Sequence, residues 1–82
     1  MSFSDFNAHK KFGRFTVTID CDGNRADVWV GANADSGNCV NLAYVEAGVH
    51  TGEPEEDDIL DAVYSSGLGE KMVAWAYSTD LY

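Results

Sequence analysis

The stretch RFTVTIDCDGNRADVWVG, residues 14–31, decides the fold. Over residues 14–21, Phe15, Val17, Ile19 and Cys21 alternate with Thr16, Thr18 and Asp20. A period of two carried by β-branched and aromatic side chains marks a strand with one buried face. Asp22-Gly23 is a tight-turn signal, because glycine tolerates positive φ. Residues 26–31 return, with Ala26, Val28 and Val30 on one face and Asp27 and Trp29 on the other. The result is an antiparallel hairpin with one apolar face. If helices cover the Val28 face, Trp29 is left exposed; the alternative is a small second cluster under the N-terminus with Phe3 or Phe6.

Upstream, residues 1–12 show weak periodicity and read as an N-terminal arm, with Phe3, Phe6 and Phe12 packing as an arm or a short helical turn. His9, Lys10 and Lys11 form its basic cluster. Downstream, residues 32–38 (ANADSGN) are rich in turn formers and read as a loop. Residues 39–47 read as a third strand, with Val40, Leu42 and Tyr44 alternating against Asn41, Ala43 and Val45. After a connector over 48–52, Pro54 suits a first helical turn, where its missing N–H is no loss. Ile59, Leu60 and Val63 then recur at helical spacing, and Gly67 is the expected left-handed cap. A second helix over 69–78 carries Leu68, Met72, Trp75 and Ala76 as its apolar stripe, with Val73 and Tyr77 beside it. The tail, residues 79–82, frays unless Leu81 and Tyr82 dock. These elements predict an α+β fold: a three-stranded antiparallel β-meander followed by two helices packed on one face. One domain over 1–82 is expected, with the arm at 1–12, the sheet over 14–47 and the helices over 54–78.

The chain has 82 residues, 45% of them hydrophobic, and ten aromatics, which suffices for one small core with a thin stability margin. Its formal net charge is -9, unevenly distributed. Residues 1–25 hold three acids against four bases; residues 26–82 hold eleven acids against Lys71 alone. Such a surface repels nucleic acid and anionic membranes and speeds encounter with basic partners. A plainer role for the charge is solubility. No signal peptide is read over residues 1–20, and no run approaches the roughly 18 apolar residues of a membrane span. A cytoplasmic protein with reduced thiols at Cys21 and Cys39 is therefore expected; a disulfide needs their strands to lie side by side.

Most chemical motifs fail on spacing. Two cysteines and two distant histidines, His9 and His50, lack the close pairs of a zinc site. Counted from Asp20, a calcium loop needs Gly at its sixth position and Glu at its twelfth, where this chain has Arg25 and Gly31. Ser65-Ser66 lacks the framing glycines of a nucleophile elbow, and Gly67-Leu68-Gly69 is too short for a phosphate loop. No catalytic residue, cofactor or metal is expected, and the protein reads as a non-enzyme.

One segment stands out. Six of the nine residues 53–61 are carboxylates: Glu53, Glu55, Glu56, Asp57, Asp58 and Asp61. Acids at a helix start interact favourably with the helix dipole, by about 0.3–1 kcal/mol each. That accounts for two or three of them; beyond that, packed like charges repel. The surplus predicts a face that docks into a groove lined by arginine and lysine, imitating a row of phosphates, with Asp27 and Trp29 as a second contact.

In being short, acidic, without catalytic motifs and built of a few strands beside helices, the chain resembles the small inhibitors of bacteriophages, anti-CRISPR and anti-restriction proteins among them. The resemblance covers general character and carries over no individual residue. It implies a non-enzymatic inhibitor, a monomer or weak dimer in the host cytoplasm, that blocks a basic nucleic-acid-binding protein or complex without touching nucleic acid itself. The alternative is a small assembly subunit that oligomerises through Trp29, Tyr77, Leu81 and Tyr82. A third reading is divalent-cation binding at the carboxylate cluster.

Overall fold

A computed structural model describes residues 7–22, 25–31 and 39–82. The strands are β1 (Asn7–Phe12), β2 (Phe15–Asp22), β3 (Arg25–Gly31) and β4 (Cys39–Asn41). The helices are α1 (Leu42–Ala47), α2 (Pro54–Ser66) and α3 (Gly69–Ser78). The strands form one antiparallel sheet in the order β1-β2-β3-β4. The α+β class holds; among the described residues there are four strands in place of three and three helices in place of two.

The central hairpin follows its period of two. Phe15, Val17, Ile19 and Cys21 are buried with Val28 and Val30. Val17 lies opposite Val30, and Ile19 opposite Val28, in the β2–β3 register. That apolar face meets Leu42 and Val45 of α1, Ile59, Leu60 and Val63 of α2, and Met72 and Ala76 of α3, in one core cluster. Leu81 and Tyr82 are half-buried against the same cluster, so the C-terminal end docks. The Phe3 and Phe6 placements, the Gly23-Asn24 turn and the loop over 32–38 lie outside the described residues.

Two expectations are corrected. Residues 7–12, read as part of an arm, form β1 and pair with β2 from Asn7 opposite Asp20 to Phe12 opposite Phe15. Ala8, Lys10 and Phe12 share the core side. A lysine where alternation calls for an apolar residue hid the strand. It is tolerated because β1 is an edge of the described sheet, where the Lys10 side chain stays exposed although its register is on the core side, and a charge there discourages pairing with other chains. The Lys10 ammonium sits 5.5 Å from the Phe12 ring centroid. The β1–β2 turn places Gly13 at φ 59, and a Cβ there would come within 3.2 Å of Leu68 Cδ1. Glycine meets both demands, the left-handed backbone and the close approach.

The second correction is at 39–47, read as one strand. Only Cys39–Asn41 pairs with β3; Leu42–Ala47 is helical. Asn41 accepts a hydrogen bond from the Ala43 N–H at 3.0 Å, an N-cap. Gly48, at φ 73, closes α1 by donating to the carbonyls of Tyr44 and Val45. Leu42 and Val45, three apart, are buried, and Tyr44 turns outward. Over so short a window the alternating and helical periods overlap, and the caps decide. α2 begins at Pro54 and ends at Gly67 in the left-handed conformation, as its sequence predicts. Among the described residues no helix is long and apolar enough to cross a membrane.

Candidate functional site

The helical period sorts the six carboxylates of α2 and its N-cap into three groups. Asp57 and Asp61, four apart, face the connector over 48–52. Asp57 accepts from the Thr51 N–H at 2.8 Å, the Gly52 N–H at 3.2 Å and the Thr51 hydroxyl at 3.3 Å. Asp61 accepts from His50 Nε2 at 2.6 Å. That hydrogen bond, with the Asp61 charge, raises the His50 pKa above its ordinary 6.5. Tyr64, a further turn along, stands edge-on to His50, and its single hydroxyl proton is shared between the carbonyls of Val49 (2.6 Å) and Tyr44 (2.9 Å). Asp57, Asp61 and Tyr64 thus form one polar stripe that holds the connector against α2. Their spacing was visible in the sequence; the roles of Thr51, His50 and Tyr64 were not, because they depend on how the connector folds back on α2.

The second group is Glu53, Glu55 and Asp58, all exposed. Glu53 is the N-cap residue of α2, yet its side chain makes no capping bond. Among the described residues none of these three carboxylates has a side-chain partner. Lys10 lies over Phe12, and the Arg14 guanidinium lies 5.2 Å from the Phe15 ring centroid.

The third group is Glu56 alone. It lies four residues before Leu60 and seven before Val63, on the stripe of α2 that faces the sheet, and it is half-buried. It lines a groove of about 510 Å³ together with Asp27, Trp29, Asn41 and Tyr44. Asp27 and Trp29 therefore adjoin the acidic helix, and Glu56 is the residue that joins them. Trp29 projects from the sheet face opposite the core, in register between Thr18 and Asn41, and is 36% exposed. Tyr44 is 40% exposed. Tyr44 was missed because the strand reading set it with Val40 and Leu42. The backbone that carries three of the lining residues is held: Trp29 in the β3 ladder, Asn41 at the cap of α1, and Tyr44 by the Tyr64 hydroxyl on its carbonyl.

A larger depression of about 640 Å³ lies between α1, α2 and α3, floored by Val45, Val63 and Val73. Of its acids, Glu46 already accepts from the Tyr77 hydroxyl at 2.5 Å, which raises the Tyr77 pKa. Tyr77 and Tyr82 pack with centroids 5.0 Å apart. Of the four residues in the assembly reading, Leu81 and Tyr82 are thus used within the chain, while Trp29 and Tyr77 stay exposed. Cys21 and Cys39 are free thiols; β3 lies between their strands, and they project to opposite faces of the sheet. Among the described residues no three His, Cys, Asp or Glu side chains are grouped as a metal ion requires.

Compared with protein-family models, curated proteins and solved structures, the chain has no match.

Proposed function

We propose that this protein is a non-enzymatic binding module that competes for the basic side chains of a nucleic-acid-handling protein, in the manner of the phage inhibitors it resembles. The observation that carries the reading is the division of the acidic helix. Asp57 and Asp61 have structural partners, whereas Glu53, Glu55 and Asp58 stand in solvent without one among the described residues. Helix-dipole support is worth about 0.3–1 kcal/mol per acid, and like charges a turn apart oppose one another by a few tenths. Folding therefore gains little from the full set, and a basic partner gains much. Long-range attraction would raise the association rate, and salt would weaken it.

The test measures target-DNA binding by a panel of CRISPR effector complexes and restriction enzymes, with and without the protein. A triple variant, Glu53→Lys, Glu55→Lys and Asp58→Lys, runs alongside, its helices checked by circular dichroism. Salt-sensitive inhibition by the natural chain that disappears in the variant is expected. Inhibition that survives the triple reversal with unchanged salt dependence refutes the reading.

A further inference from the structure

We infer that the groove between β3, α1 and α2 is a receptor for one arginine side chain of the partner, seated on Trp29 and Tyr44 and drawn by Glu56. This rests on the proposed basic partner and names the chemistry of one contact.

Three observations converge. First, two exposed aromatic residues line the same concavity, Trp29 from the sheet and Tyr44 from α1. Aromatic faces attract cations, tryptophan most strongly. Second, Glu56 lines that concavity as well, and among the described residues its carboxylate has no hydrogen-bond partner. Glu56 is held there because the sheet-facing stripe of α2 continues past its last core residue toward the helix start. Third, the backbone that carries the walls is held before any ligand arrives. Asn41 is occupied in capping α1, and the Tyr64 hydroxyl ties α1 to α2. A preorganised site loses little entropy on binding. Arginine fits better than lysine: its guanidinium is planar, stacks on rings, is weakly hydrated and can meet a carboxylate with two N–H groups at once. An ammonium is a compact, strongly hydrated charge that gains less from a ring. An apolar side chain would leave Glu56 without a partner.

The test is an NMR titration of the full chain with N-acetyl-arginine-methylamide and with its neutral isostere, the citrulline derivative. The readouts are the indole N–H of Trp29, with Trp75 as internal control, and the backbone amides of Tyr44 and Glu56. Saturable shifts at Trp29, Tyr44 and Glu56 with the arginine probe, and none with citrulline, are expected. Glu56→Gln should weaken binding by about tenfold, the loss of one charge-assisted pair. Tyr44→Leu, at an exposed position that leaves the core intact, should weaken it by about threefold. Equal shifts with both probes, or no shift at the groove with either, overturn the inference. So does arginine binding that is unchanged in both variants. Glu53, Glu55 and Asp58 lie outside the groove, so the outcomes separate. If the triple reversal abolishes inhibition but the arginine probe finds no groove, only this inference falls. If the groove binds arginine while inhibition ignores the triple reversal, it is the acidic-face reading that falls.

Discussion

Replacing Asp57 with alanine should unfold the protein far more readily than replacing Asp58, although the two are adjacent and chemically identical. Asp57 accepts two backbone N–H groups and one hydroxyl from Thr51 and Gly52, at 2.8–3.3 Å. Hydrogen bonds to a charged group contribute roughly 1.5–3 kcal/mol each when buried. Here the site is only partly buried, and water can replace the longer two, so the set is worth about 2–3 kcal/mol. In a domain of this size each kcal/mol moves Tm by about 4–8 °C, which gives a fall of about 10–20 °C for Asp57→Ala. Asp57→Asn keeps one acceptor oxygen, and its loss should be about half as large. Asp58 has no side-chain partner among the described residues. Asp58→Ala loses dipole support but relieves repulsion from Glu55, so its effect should stay within about 0.5 kcal/mol. Urea and thermal denaturation of the variants measure all three. If Asp57→Ala and Asp58→Ala agree within about 0.5 kcal/mol, then Asp57 does not hold the connector and the division of the acidic run is wrong.

The His50–Asp61 pair makes stability depend on pH with a definite sign. Because the folded-state pKa of His50 is raised above 6.5, chiefly by its hydrogen bond to Asp61, the contribution is fully present below 6.5 and is lost as pH rises through the folded value. An NMR titration of the His50 ring should show that raised midpoint and its return to the ordinary value in Asp61→Asn; an unmoved midpoint refutes the pairing. Gly13→Ala should cost about 1–2 kcal/mol in urea titration for its left-handed backbone, with the approach to Leu68 adding to it. A neutral result would mean that the β1–β2 turn is misassigned. Cys39, half-buried, should react with a thiol reagent in the folded protein, and Cys21, 3% exposed, only after unfolding. An intramolecular disulfide formed under mild oxidation would contradict the sheet order.

What was legible in the sequence depended on how long a period ran and whether something interrupted it. The central hairpin alternates over two full strands, and every apolar residue of its predicted core face between Phe15 and Val30, apart from half-buried Ala26, is buried. α2 was bounded by Pro54 and Gly67, which act through backbone geometry and leave little latitude. β1 was hidden because Lys10 takes a register position on the core side yet stays exposed, which the sheet edge allows. α1 was hidden because six residues are fewer than two helical turns, too few for 3.6 and 2.0 to separate. The site divided along similar lines. Trp29 followed from parity once the sheet's covered face was known. The groove did not follow, since it needs Tyr44 on a helix and Glu56 on the sheet-facing stripe, and both depend on tertiary packing. The structural use of Asp57 and Asp61 could have been read from their recurrence with Tyr64 at positions 57, 61 and 64, a polar stripe alongside the apolar one.

The sheet order places three of the chain's five cations away from the strand that borders the acidic helix. Lys10 and Lys11 lie on β1 and Arg14 in the turn after it, at one edge of the sheet. Glu56 lies with Asp27, Trp29 and Asn41 at the other edge, beside β4 and the start of α2. Three strand spacings separate β1 from β4, about 14 Å. The Debye length at physiological ionic strength is about 8 Å, so surface charges that far apart are largely screened from one another. Lys10 and Arg14 are in addition held over Phe12 and Phe15, which fixes them at their own edge. Glu53, Glu55 and Asp58, exposed and without a side-chain partner among the described residues, would gain most from a cation on another molecule, and under the proposed reading the groove at half-buried Glu56 would offer such a cation two aromatic residues as well.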